Sequence, residues 1–254
     1  MPARYYYHIR HGLTVNAAVR VNGITIHHGA TGGTQDGLAA PIDHFLEPGE
    51  NRLEVEIRTA DPTDGQAHFA AGIYANEGDV QLAELSWPGD FPAPPDPAPA
   101  FPTLQFRLFA VPGDHPKPLF TEARRETVPL DGTDETWAPV RALHDAFERG
   151  DAGAIGDLLS ERVSEAHKFY DLPETTPGGS RQMVAEGMAG GGYDMLPLYG
   201  GQVVFMECAG GRAVQLLRLD GRPAIFGRCR SNPKQAYVSN PVLVRHEGVY
   251  RFIA

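Results

Sequence analysis

Apolar residues alternate with a period of two through the first 111 residues, and a helical period replaces that pattern after residue 136. A chain with this switch predicts a β domain followed by a mixed one. Before the switch, short β-like runs cover Arg4–Ile9, Ala18–Val21, Ile24–His27, Arg52–Arg58, His68–Ala75, Val80–Trp87 and Thr103–Val111. In the last of these, Leu104, Phe106, Leu108 and Ala110 alternate with polar or larger neighbours. Asn22-Gly23, Pro48-Gly49-Glu50-Asn51 and Asp61-Pro62 separate the runs, and Asn-Gly is the strongest short hairpin signal. Two packed sheets are expected over 1–112, an all-β, jelly-roll-like sandwich. The 29 glycines and 22 prolines in 254 residues suit such a turn-rich fold. Seven prolines crowd residues 88–102, which read as a stiff surface loop.

Residues 113–133 are polar and read as a linker. Thr136 caps a predicted helix whose stripe is Trp137, Val140, Leu143, His144 and Phe147. Gly150 stops it, and Asp151 caps a second helix with the stripe Ile155, Leu158, Leu159 and Val163. A third is expected over Ser180–Met188. Strands follow at Gln202–Cys208, Arg212–Leu219 and Pro223–Cys229, read as one meander, then a hairpin of Pro241–His246 and Val249–Ile253 turning at Glu247-Gly248. Residues 134–254 therefore read as an α+β domain. In the meander Cys208 faces Ala213 and Cys229 faces Arg212. That puts the thiols two strands and about 9–10 Å apart, on opposite faces. Free thiols follow, because a disulfide needs Cα atoms within about 7 Å.

The run Val140-Arg-Ala-Leu-His-Asp-Ala-Phe-Glu-Arg-Gly-Asp-Ala-Gly-Ala-Ile-Gly-Asp-Leu-Leu159 and the closing Val242-Leu-Val-Arg-His-Glu-Gly-Val-Tyr-Arg-Phe-Ile253 resemble the nuclear-transport-factor-2-like (SnoaL-like) superfamily. The resemblance implies an α+β cone, with helices packed on a curved antiparallel sheet around a hollow. Val19-Arg-Val-Asn-Gly-Ile-Thr-Ile26 and Pro41-Ile-Asp-His-Phe-Leu-Glu-Pro-Gly-Glu-Asn-Arg-Leu-Glu-Val-Glu-Ile57 resemble galactose-binding-like β-sandwich modules. Both resemblances imply a fold, and neither implies a reaction.

A formal net charge of -10 argues against a nucleic-acid or anionic-membrane surface and permits a basic partner. No run of 18 apolar residues occurs, and no apolar stretch follows the first residues, so a cytoplasmic location is expected. His-Glu-x-x-His, a Walker loop and a Gly-x-Ser-x-Gly elbow are all missing from the sequence. The glycine-rich run over residues 29–37 reads as a loop. Six of ten histidines fall in the first 70 residues. Neither His8 with His11 nor His27 with His28 can converge on a metal from one strand, so neither a metal nor a cofactor is expected.

The cone resemblance implies chemistry in its hollow, where His167, Asp171, Tyr193 and His246 are the catalytic candidates. Tyr170, Tyr199, Glu207 and Arg228 are the corresponding ligand-binding candidates. The meander offers another reading. Val203, Phe205, Val214, Leu216 and Ile225 share one face, while Val204, Met206, Leu217, Leu219, Ala224 and Phe226 share the other. A sheet apolar on both faces needs cover on both. The other domain, a second copy in a homodimer or a protein partner would supply it. The expected function is a non-enzymatic binding protein, for example a bacterial immunity protein that neutralises a basic toxin. The alternatives are a metal-independent isomerase, dehydratase or hydrolase, and carbohydrate binding through Tyr5, Tyr6, Tyr7, Trp87 and Phe91.

Overall fold

The computed structural model describes residues 4–12, 15–30, 38–60, 67–75, 80–91, 102–170, 192–198, 202–220, 222–234 and 236–254. The expected helix over 180–188, residues 31–37 of the glycine-rich loop and residues 92–101 of the proline stretch lie outside them. The chain divides into two compact units, Met1–Pro118 and Leu119–Ala254. The stretch read as a linker is shared between them. His115 is buried in the first unit, and Phe120 and Val128 are buried in the second.

In the first unit, strands β1 (Tyr5–His11), β4 (Leu38–Pro41), β6 (Phe69–Ala75) and β7 (Val80–Trp87) form one sheet in the order β4-β1-β6-β7. Strands β2 (Asn16–Val21), β3 (Ile24–Ala30), β5 (Gly49–Thr59) and β8 (Thr103–Val111) form another, in the order β3-β2-β5-β8. Inward residues of both, among them Tyr5, Ile9 and Ile73 from the first and Val19, Leu53 and Val55 from the second, build one core. Asn22 and Gly23 turn β2 into β3 with φ of 52° and 79°, the mirror-image turn that Asn-Gly favours. Asn51 ties that turn down. Its Oδ1 accepts from Asn22 Nδ2 and Glu47 N (both 2.8 Å), and its Nδ2 donates to the carbonyls of Glu47 (2.7 Å) and Gly49 (3.0 Å). Asn51 is almost fully buried. Asn51→Ala is expected to cost about 2 kcal/mol, because it strips these polar groups of a buried partner. Urea unfolding of the variant checks this.

The expected α+β cone is corrected by the second unit. The described chain is mostly β, in four antiparallel sheets, and its only α-helices among the described residues are three short ones. Here β10 (Val203–Cys208), β11 (Ala213–Arg218), β14 (Val242–His246) and β15 (Val249–Phe252) form one sheet in that order. A separate three-stranded sheet runs β13 (Ala236–Ser239), β12 (Ile225–Cys229), β9 (Tyr193–Met195). The predicted meander therefore breaks after β11. All six residues of β11 are buried, so it needs a paired strand on each edge. Val242-Leu243-Val244, also buried, takes the second edge, with Val214 opposite Leu243. Pro223 has no N–H to offer a ladder, and Ala224 N donates instead to Asn240 Oδ1 at 2.8 Å.

The helices are α1 (Asp134–Arg149), α2 (Ala152–Leu158) and α3 (Ser160–Phe169). Thr133, not Thr136, caps α1. Its side chain accepts from Thr136 N, and Thr136 Oγ1 accepts from Thr133 N. Gly150 ends the helix at φ 70°. Leu159 interrupts the expected second helix, splitting it into α2 and α3. Helix α1 packs against β9, β12 and β15, strands of two different sheets rather than one curved one. No helix among the described residues is long and apolar enough to cross a membrane. Cys208 faces Ala213, as the register predicted, but Cys229 faces Tyr193 on another sheet. Neither cysteine is in a disulfide, both are buried, and burial pushes Cys208 up to about 12.

Candidate functional site: an apolar strand edge and two cavities

Strand β8 ends its sheet, and β5 is its one paired neighbour among the described residues. Toward its C-terminal end, Phe109 and Val111 point inward and are buried in the core, while Arg107 is exposed and pairs with Asp90 at 3.0 Å. The even-numbered residues of β8 point outward. Leu104, Phe106 and Leu108 are each about half exposed, at 49%, 53% and 48%. Across the ladder they face Glu56, Glu54 and Arg52 of β5. The Arg52 guanidinium lies 4.3 Å over the Phe106 ring. The charges of that row are already paired: Arg52 with Glu54 at 2.9 Å, and Glu56 with both Arg20 and Arg58. Burial works against ionisation of Glu56, but its arginine partners hold the carboxyl below its usual value. The result is an apolar row on an edge that no strand pairs among the described residues, flanked by a self-neutralised polar row. Exposed apolar rows of this kind mark interaction sites, and an edge strand offers unpaired backbone groups for a further strand. Alternation predicted the row; it could not say which of the two sets faces the core.

Two cavities of about 400 Å³ each lie in the second unit. Leu119, Glu122, Arg124, Glu126, Arg245 and His246 line the first. There Glu126 accepts from the Tyr250 hydroxyl at 2.8 Å and from Arg245, which also meets Glu135 at 3.2 Å. Burial, then the adjacent Glu126, raises the Tyr250 hydroxyl well above its ordinary value. The acids and the arginine thus satisfy one another. Trp137, Arg141, His144, Pro197, Leu198 and Val203 line most of the second, with Asp131 and Asp145 also in its lining. His144 Nε2 is 3.2 Å from the Leu196 carbonyl. His144, Asp145 and Glu148 place ligand atoms within 4.8 Å of one another, an arrangement that can hold a cation, although both acids are exposed.

The residues proposed from sequence do not converge. Tyr193 is a core residue, 1% exposed and edge-on to Phe147 at 5.4 Å, with its hydroxyl raised chiefly by burial. His167 lies on α3 and Tyr170 directly follows it, both partly buried. Glu207 is exposed and accepts from Val128 N, and Arg228 is exposed beside the Phe226 ring. Of the described candidates, His246 alone lines one of these two cavities. Asp171 and Tyr199 lie outside the described residues. Val140, Leu143, Phe147, Phe205, Leu216 and Phe252 fill the interior that the cone resemblance implied to be hollow. Of the aromatic residues considered for sugar stacking, Tyr5 and Phe91 are buried in the first core, and Tyr7 and Trp87 pack against it. Sequence reasoning missed the second cavity because His144 was counted into an apolar stripe. The spacing of Trp137, Arg141 and His144, one helical face, was the available signal.

No family model matches the chain, and neither the curated proteins nor the solved structures yield a match.

Proposed function

We propose that this chain is a non-enzymatic interaction protein that receives a protein partner along the outward edge of β8. The half-exposed row Leu104, Phe106 and Leu108 carries the reading. Strand addition would give the partner main-chain hydrogen bonds for affinity and the alternating row for specificity. The net charge of -10 suits a basic partner, such as a toxin held by an immunity protein, and would speed its capture. The filled interior of the second unit and the dispersed His167, Tyr193 and His246 support binding over catalysis.

The test compares wild type with Phe106→Glu as bait in the native host at moderate salt, with partners identified by mass spectrometry. The variant is expected to lose a stoichiometric partner while its stability changes by no more than about 0.5 kcal/mol, as at ordinary surface sites. A partner retained in full by Phe106→Glu would overturn the assignment to β8. A wild-type bait that captures only copies of itself would make the occupant a second copy of this chain.

A further inference from the structure

We infer that the cavity between α1 and Pro197, Leu198 and Val203 binds a small organic monoanion with a flat apolar body, an aromatic carboxylate being the simplest member. This inference does not rest on the reading of β8. One wall is a helical face, where Trp137, Arg141 and His144 follow one another at four- and three-residue spacing. The other wall is apolar, from Pro197, Leu198 and Val203. Trp137 Nε1 donates to the Asp131 carbonyl at 2.7 Å, which fixes the indole as a platform. The Arg141 guanidinium lies 5.4 Å over that ring, so a cation sits where an apolar body would stack. About 400 Å³ fits a ligand of one or two rings.

The second observation lies behind the wall. Arg218 is only 1% exposed. Its Nη1 donates to Gln202 Oε1 at 3.2 Å and its Nη2 to the Pro197 carbonyl at 3.0 Å, while Nε has no acceptor. No carboxylate among the described residues forms an ion pair with it. Asp220, two residues on, is engaged by Arg222 at 2.6 Å. Arginine is almost never fully buried without a paired anion. The two residues that tie Arg218 to the cavity also line it: Pro197 through that hydrogen bond, and Val203 as its cross-strand neighbour. Out of water, the field of an unpaired guanidinium is weakly attenuated and favours negative charge in the adjacent space. Asp131 and Asp145 are exposed. Their charges at the rim turn the anionic end of a ligand inward and disfavour a second negative charge.

The test uses the full chain in a Trp87→Phe background, which leaves Trp137 as the one tryptophan of the two in the sequence. Its fluorescence is followed during titration with benzoate, with benzamide as the neutral isostere and with inorganic phosphate. Benzoate is expected to quench saturably in the millimolar range suited to so small a ligand. Benzamide and phosphate are expected to bind at least about tenfold more weakly. Arg141→Gln, at an exposed position, is expected to weaken benzoate about tenfold without changing Tm. Arg218→Met is expected to abolish binding and to raise the Tm of the free protein, since it removes a buried unpaired charge. If Arg218→Met does not fold, the Arg141→Gln arm decides. Unsaturable quenching, equal binding of benzamide, tighter binding of phosphate, or an unchanged Arg141→Gln would each overturn the inference.

Discussion

Replacing His27 by Phe is expected to make the first unit more stable as the pH falls from 6.5 to 4, and replacing Asp43 by Asn is expected to do the reverse. His11 on β1 and His27 on β3 come from opposite sheets and meet inside the sandwich, ring centroids 6.4 Å apart and nearly parallel. Neither His11 Nδ1 nor His27 Nε2 has a partner, and the Phe69 ring lies 6.2 Å from His27. Burial above all, then His11 and His28, pushes His27 down to about 4. The unfolded chain therefore binds a proton more readily than the fold. The stability held by neutral His27 is complete above pH 6.5 and is lost as the pH falls toward 4, about 3 kcal/mol in all.

Asp43 has the opposite sign. It is 2% exposed, and both carboxylate oxygens accept from Tyr5 N at 3.2–3.3 Å. Burial outweighs those bonds and raises it to about 6. Its ionised form costs stability above pH 6, and the cost is relieved as the pH falls from 6 to the ordinary carboxylate value, again about 3 kcal/mol. In wild type the two slopes oppose. His27→Phe leaves the Asp43 slope alone, and Asp43→Asn leaves the His27 slope alone. Urea unfolding between pH 4 and 7, read from Trp87 in a Trp137→Phe background, measures both. Parallel profiles for the two variants would show that neither group carries the linkage.

Phe205→Ala is expected to cost the second unit about 4 kcal/mol. The ring is fully buried and stands edge-on to Trp137, centroids 5.0 Å apart at 90°. Gly132 leaves no slack, since a Cβ there would collide with the ring. Gly132 N donates to the Pro129 carbonyl and Phe205 N to the Leu130 carbonyl, so the turn that launches α1 is moulded on this side chain. Truncation thus leaves a cavity that cannot collapse without moving the helix start. Denaturant unfolding followed through Trp137 reads the loss. A cost under about 1 kcal/mol would mean that this interior is loosely filled, as a ligand hollow would be.

Local chemistry made part of this fold legible. Asn22-Gly23 and Glu247-Gly248 are turns whose φ values only a few residue types accept. The stripe of α1 buries Val140, Leu143 and Phe147, and Cys208 stands opposite Ala213 as the strand register predicts. The binding features were less legible. Leu104, Phe106 and Leu108 alternate with polar or larger neighbours in the sequence, yet the fold buries Phe109 and Val111 and leaves that row outward. Spacing along one strand keeps His8 from His11 and His27 from His28, but it says nothing of His11 with His27, whose rings meet across two sheets. Arg218 lies near the end of a predicted strand, and its burial against Gln202, Val203 and the Pro197 carbonyl is a tertiary outcome.

The sequence by itself therefore determined the turns, the helical stripe, and which residues share a face along each strand. These depend on φ preferences and side-chain periods within a few residues of chain. Only the tertiary structure decided which face of β8 is core, which strand completes β11, and which side chains from distant strands meet. Those outcomes depend on competition between segments for buried edges. Val242-Leu243-Val244 won the edge of β11 over the nearer Ile225–Cys229 because it buries three apolar side chains there, whereas the run into β12 opens with Pro223, which has no N–H for the ladder.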